Sequence, residues 1–80
     1  MSAKQIGKVT HYYDKIGVAI VKFSKAFKTG EEVVFGEDGF KQEVSSMQFD
    51  HKPIEQAKSG QEVGVKVDKA VKEGMPVFQG

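Results

Sequence analysis

Gln61-Glu62-Val63-Gly64-Val65-Lys66-Val67 sets a valine at every second position, with polar residues or glycine between. Successive side chains of an extended strand point to opposite faces. Val63, Val65 and Val67 are therefore predicted to face a core, and Glu62, Gly64 and Lys66 to face outward. Gly60 ends the turn before this strand. Residues 68–74 form the turn after it, and residues 75–79 make a last strand. Upstream, residues 5–13 read as a first strand, with Ile6, Thr10 and Tyr12 on one face and Val9, His11 and Tyr13 on the other. Asp14-Lys15-Ile16-Gly17 breaks it. Residues 18–23 follow with both faces apolar, as in a strand covered on two sides or in a closing barrel.

Residues 24–30 are a connection and residues 32–35 a short third strand. Gly36-Glu37-Asp38-Gly39 is a hairpin turn, because Asp-Gly supplies positive φ at low cost. In residues 40–50 the apolar positions change phase, from Phe40 and Val44 to Met47 and Phe49. A strict period of two cannot do that, so a β-bulge is expected near Ser45-Ser46. Residues 51–60 hold one helical turn at most. Six short strands separated by turns predict a small all-β barrel occupying residues 5–79 of a single domain, 1–80.

Composition agrees. The 80 residues include no Leu, 11 Val, 4 Ile, 8 aromatics and only 5 Ala. Stiff β-branched and aromatic side chains suit a pleated, half-buried surface better than a helix. With 12 Lys, no Arg and 11 acids the net charge is +1, which excludes a strongly polyanion-seeking chain. The charge is uneven: residues 1–30 hold six Lys and one acid. No apolar run approaches the ~20 residues of a membrane span, and the N-terminal residues lack the apolar segment of a secretory signal. The expectation is a cytoplasmic protein with no membrane partner. Cys is absent, so there is no thiol nucleophile or Cys-based zinc site.

Catalysis finds little support. His11 and His51 are 40 residues apart with no third ligand at metal-like spacing, and Ser45-Ser46 lies far in sequence from both. No glycine-rich phosphate loop is present. Val65-Lys66-Val67-Asp68-Lys69-Ala70 has the look of a lipoyl-domain arm, but such turns sit near mid-chain and only ten residues follow Ala70. A polar hairpin is the simpler reading of Lys69. No enzyme activity, cofactor or metal is expected. Lys22, Lys25 and Lys28, near Phe23, Phe27, Tyr12 and Tyr13, form the one pattern suited to nucleic acid, since Lys neutralises phosphates and aromatics stack on bases. The same lysines also serve to guard a strand edge.

Four motifs occur in order: Ala26-Phe27-Lys28-Thr29-Gly30-Glu31-Glu32-Val33, Ser46-Met47-Gln48-Phe49, Gly60-Gln61-Glu62-Val63-Gly64-Val65-Lys66-Val67 and Glu73-Gly74-Met75-Pro76-Val77. Their order and spacing resemble domain 2 of the elongation factor Tu-type translational GTPases. The chain is closer still to the small stand-alone elongation-factor-like proteins and to the similar barrels appended to some collagenase-like peptidases. The resemblance implies a six-stranded Greek-key β-barrel of the translation-factor domain 2 type. It spans the barrel alone and no GTP-binding domain, so this chain is not expected to bind GTP. Where the GTPases carry a Glu that helps line the pocket for the tRNA 3′-terminal adenosine, this chain has Gln48.

Two functional expectations follow for a non-catalytic binding module. One is RNA or ribosome binding, with Lys22, Lys25 and Lys28 on phosphates and Gln48 or His51 near a base. The other is a protein-interaction or regulatory barrel acting with a separate enzyme such as a collagenase-like peptidase, through an apolar patch around Phe27, Met75 and Phe78.

Overall fold

In the computed structural model, which describes residues 4–36, 39–50 and 52–80, every regular element is a strand. There are ten: β1 (Gln5–Tyr13), β2 (Val18–Phe23), β3 (Phe27–Lys28), β4 (Glu32–Phe35), β5 (Phe40–Glu43), β6 (Met47–Phe49), β7 (Lys52–Ile54), β8 (Gln56–Ala57), β9 (Glu62–Lys66) and β10 (Pro76–Gln79). Eight form one antiparallel sheet in the order β5-β4-β10-β1-β2-β9-β6-β7, and β3 pairs with β8 beside it.

The all-β class agrees with the sequence; the strand count does not. Residues 24–30 contain β3, and the segment assigned a helical turn contains β7 and β8. Those strands are two or three residues long, too short to show a period. Residues 40–50 are two strands and not one bulged strand. β5 pairs with β4, while β6 lies between β9 and β7. The phase change at Ser45-Ser46 marks the place where the chain leaves one side of the sheet for the other.

A bulge occurs elsewhere. Between β1 and β2 the register runs Val9↔Val21 and then His11↔Ile20, leaving Thr10 as the extra residue. With this bulge, and with a second register shift between Gln5 and Gly7 against β10, Ile6, Val9 and half-buried Tyr12 all turn inward, and His11 and Tyr13 outward. Strict alternation had set Val9 with His11.

One core joins both ends of the sheet. Phe35 and Val44, beside β5, belong to the same buried cluster as Met47 and Val65 of β6 and β9. A flat eight-stranded sheet could not bring those residues together, so the sheet curls around one face. The predicted inward set Val63, Val65 and Val67 is buried, and Phe23 stacks on Phe27 with ring centroids 4.8 Å apart. Gln42 is the buried polar residue of this core. Its Nε2 donates to the Lys66 carbonyl and its Oε1 accepts from the Asp68 amide, both at 2.9 Å. The side chain thus supplies a rung between edge strand β5 and the end of β9. The expected turn at Glu37-Asp38 lies outside the described residues, although its flanks are paired, Phe35 with Phe40.

Candidate functional site

The outward face of β2 is assembled from cross-strand rows. Tyr13, Val18 and Lys66 form one row, His11, Ile20, Gly64 and Gln48 the next, and Lys8, Lys22 and Glu62 the third. Alternation generates them: Ala19, Val21 and Phe23 are buried, so Val18, Ile20 and Lys22 must point away from the core.

Two adjoining grooves share this face. The first, about 440 Å³, has Gly64 as its floor and Val18, Ile20, Tyr13 and Ile16 as apolar walls. Gln48, Asp50 and Glu62 complete its lining. Tyr13 is 46 % exposed and Ile16 63 % exposed, so much of this apolar surface meets water. Asp50 has φ 54°, the only non-glycine positive φ among the described residues, at the sharp turn from β6 into β7. The second groove, about 530 Å³, runs past Lys8, Lys22 and Thr10 toward Ser24 and Ser59. Lys8 and Lys22 stand directly opposite each other there, a pairing that is unfavourable unless an anion meets it.

The sequence-predicted residues are only partly brought together. Lys22 and Gln48 both lie on this face, in rows one step apart. Lys25 is half-buried and its Nζ donates to Gln79 Oε1 at 3.2 Å. Lys28 belongs to the small β3–β8 sheet, where its backbone amide donates to Glu31 Oε2 at 2.9 Å. His51 lies outside the described residues. The aromatics expected beside the lysines are mostly spent on packing: Phe23 and Phe27 are buried against each other and offer no face to a base. Of the apolar patch expected around Phe27, Met75 and Phe78, Phe27 is buried and the other two are half-buried.

Sequence reasoning passed over Tyr13, Ile16, Asp50 and Glu62 as groove residues. The available signal was Gly64, an outward position without a side chain inside an otherwise regular strand.

Several polar groups are engaged within the fold. The hydroxyls of Thr10, Thr29 and Ser59 donate to the backbone carbonyls of Ile20, Glu55 and Ser24. His11 Nδ1 lies 2.7 Å from Glu73 Oε2, tying β1 to the loop before β10, with the Tyr13 ring edge-on at 4.4 Å. Among the described residues no three His, Asp or Glu side chains gather where they could hold a metal ion. The face is chemically equipped to bind, through apolar contact, two carboxylates and a separate pair of ammonium groups.

Comparison with known proteins supplies relatives for the whole chain. No family model matches it. An uncharacterized protease of Methanocaldococcus jannaschii is 39 % identical over 77 residues, 92 % of this chain, and the match spans 19 % of that protease's length. Among solved structures, the C-terminal domain of a putative U32 peptidase from Geobacillus thermoleovorans superimposes with a TM-score of 0.88 at 23 % identity, covering 95 % of this chain and 99 % of that domain. A second structure of the same domain also gives 0.88, covering 96 % and 92 %. These likenesses show the fold.

They also correct the elongation-factor resemblance: the relatives are an uncharacterized protease and the C-terminal domain of a putative peptidase, not translation-factor barrels. The motifs misled for a physical reason. Gly60 and Gly74 have φ of 85° and 86°, a conformation side chains rarely adopt, and each leads into a strand of the sheet. A glycine followed by alternating valines is what such a turn and strand require in any small β-fold.

Proposed function

We propose that the chain is a non-catalytic β-module that works with a peptidase. One observation carries this reading: the relative at 39 % identity is a protease, and this chain matches a segment making up 19 % of it. Support comes from the separately solved C-terminal domain of a putative U32 peptidase, which the chain covers almost end to end. The expectation of a barrel acting beside a separate enzyme accords with these relatives better than RNA or ribosome binding does. In the same reading the curled sheet is a closed barrel, with the Gln42 amide serving as the seam between β5 and β9.

Two measurements test it. The purified chain, incubated alone with casein, is expected to release no peptides; release beyond that from a mock purification would overturn the non-catalytic half. The chain is also expected to bind a U32 peptidase whose own C-terminal domain has been removed. Absence of binding by calorimetry at tens of micromolar would overturn the other half.

A further inference from the structure

The groove floored by Gly64 has features that the fold does not need. Gly64 lies mid-strand, with no positive φ to demand glycine. A Cβ built there would meet the Val18 Cγ1 methyl at 3.3 Å, with the Gln48 carbonyl and the Ile20 Cδ1 methyl next, each at 3.7 Å. Backbone conformation therefore does not call for glycine, and a Cβ there would require the Val18 methyl to give by a few tenths of an ångström. Glycine weakens a strand interior, and it marks places where a ligand or another backbone approaches closely. The walls point the same way. Single exposed apolar residues are ordinary, but Tyr13 and Ile16 converge with Val18 and Ile20 on one groove.

Charge narrows the occupant. Asp50 and Glu62 are the ionised side chains at the lining, and among the described residues neither takes part in an ion pair. Lys22 is the ladder neighbour of Glu62 but lines the adjoining groove. Lys66 pairs with Val18 in the neighbouring row and does not line the groove, so a cation entering with an apolar side chain meets two carboxylates at the lining.

We infer that this groove seats a polypeptide segment of a partner protein that presents an aliphatic or aromatic side chain next to a lysine or arginine. Taking the partner to be the peptidase rests on the reading above; the chemistry of the groove does not.

The test titrates the isotope-labelled chain with two probes, following backbone amides by NMR. The first probe is the U32 peptidase lacking its C-terminal domain. The second is a pair of capped tetrapeptides, Gly-Phe-Lys-Gly and Gly-Phe-Glu-Gly. Shifts are expected at Tyr13, Ile16, Ile20, Gln48 and Gly64 with the peptidase and with the Lys peptide, and much weaker ones with the Glu peptide. Gly64→Val should weaken binding about tenfold or more by filling the floor, as blocking a central pocket does. Asp50→Asn and Glu62→Gln should each weaken it severalfold and more so at low salt, while all three variants keep the parent melting temperature within a few degrees.

Peptidase binding with shifts elsewhere, unaltered by Gly64→Val, would overturn the inference and leave the proposed function standing. Binding of the Lys peptide at the groove without peptidase binding would do the reverse. No groove shift with either probe, or equal shifts with the two peptides, overturns the inference.

Discussion

Replacing Gln42 by Met keeps the length and most of the volume of the side chain but removes its amide. Three hydrogen bonds disappear: the 2.9 Å bonds to the Lys66 carbonyl and from the Asp68 amide, and a weaker 3.4 Å bond to the Glu43 carbonyl. A typical intramolecular hydrogen bond contributes about 0.5–1.5 kcal/mol net, and a buried group left without a partner costs about 1–3 kcal/mol. Gln42 is 6 % exposed, so water reaches the vacated seam poorly. Two strong bonds, partly offset by the apolar gain of Met, give a loss of about 2–3 kcal/mol.

A domain of this size has a total stability of only about 4–12 kcal/mol. The melting temperature should therefore fall by about 8–24 °C, at 4–8 °C per kcal/mol. The chain has no Trp, so unfolding is best followed in urea by far-UV circular dichroism. Hydrogen exchange at the Asp68 amide provides the local readout and should accelerate by more than that of Val63. Gln42→Glu gives a signed control. An ionised carboxylate cannot donate to the Lys66 carbonyl, and a buried one is desolvated, so the folded-state pKa is raised. The native state then binds more protons than the unfolded state, and this variant should gain stability as pH falls into the carboxylate range. A loss below about 0.5 kcal/mol for Gln42→Met, with Asp68 exchange unchanged, would refute the idea that this amide holds the seam.

Other substitutions probe the packing that positions the outer face. Gly7→Ala places a Cβ 3.0 Å from the Lys22 carbonyl and 3.1 Å from Val21 Cγ1. The strands must move apart, and a loss of about 1–3 kcal/mol is expected in urea unfolding. Phe27→Ala removes a buried ring stacked on Phe23 and should cost about 3–5 kcal/mol, enough to leave much of the chain unfolded at 37 °C by circular dichroism. At Asp50 the positive φ should make Asp50→Gly about 1 kcal/mol more stable than Asp50→Ala, as read from paired thermal melts.

Part of the outer face was legible in the sequence. Alternation in residues 62–67 identified Gly64 as outward, and the run from Val18 to Phe23 announced a strand apolar on both sides. Gln48 was singled out by a resemblance that proved misplaced, yet it does line the groove beside Gly64. Ile16 gave no such sign and Tyr13 stood out only as an aromatic near the lysines, because their shared position depends on where Thr10 bulges. Nor could charge along the chain show that Lys22 and Lys28 belong to different sheets.

What the sequence by itself determined is local: strand over helix, the inward valines, and the turns at Gly17, Gly60 and Gly74 where φ is positive. Those properties depend on neighbours within a few bonds, through steric limits on φ and the two-residue period of an extended chain. Strand order, the bulge at Thr10, the Gln42 rung and the meeting of Tyr13, Ile16, Asp50 and Glu62 around Gly64 were decided by the tertiary structure alone. Each needs residues distant in sequence to find one register, and a single shared core selects that register when the sheet curls and buries one face.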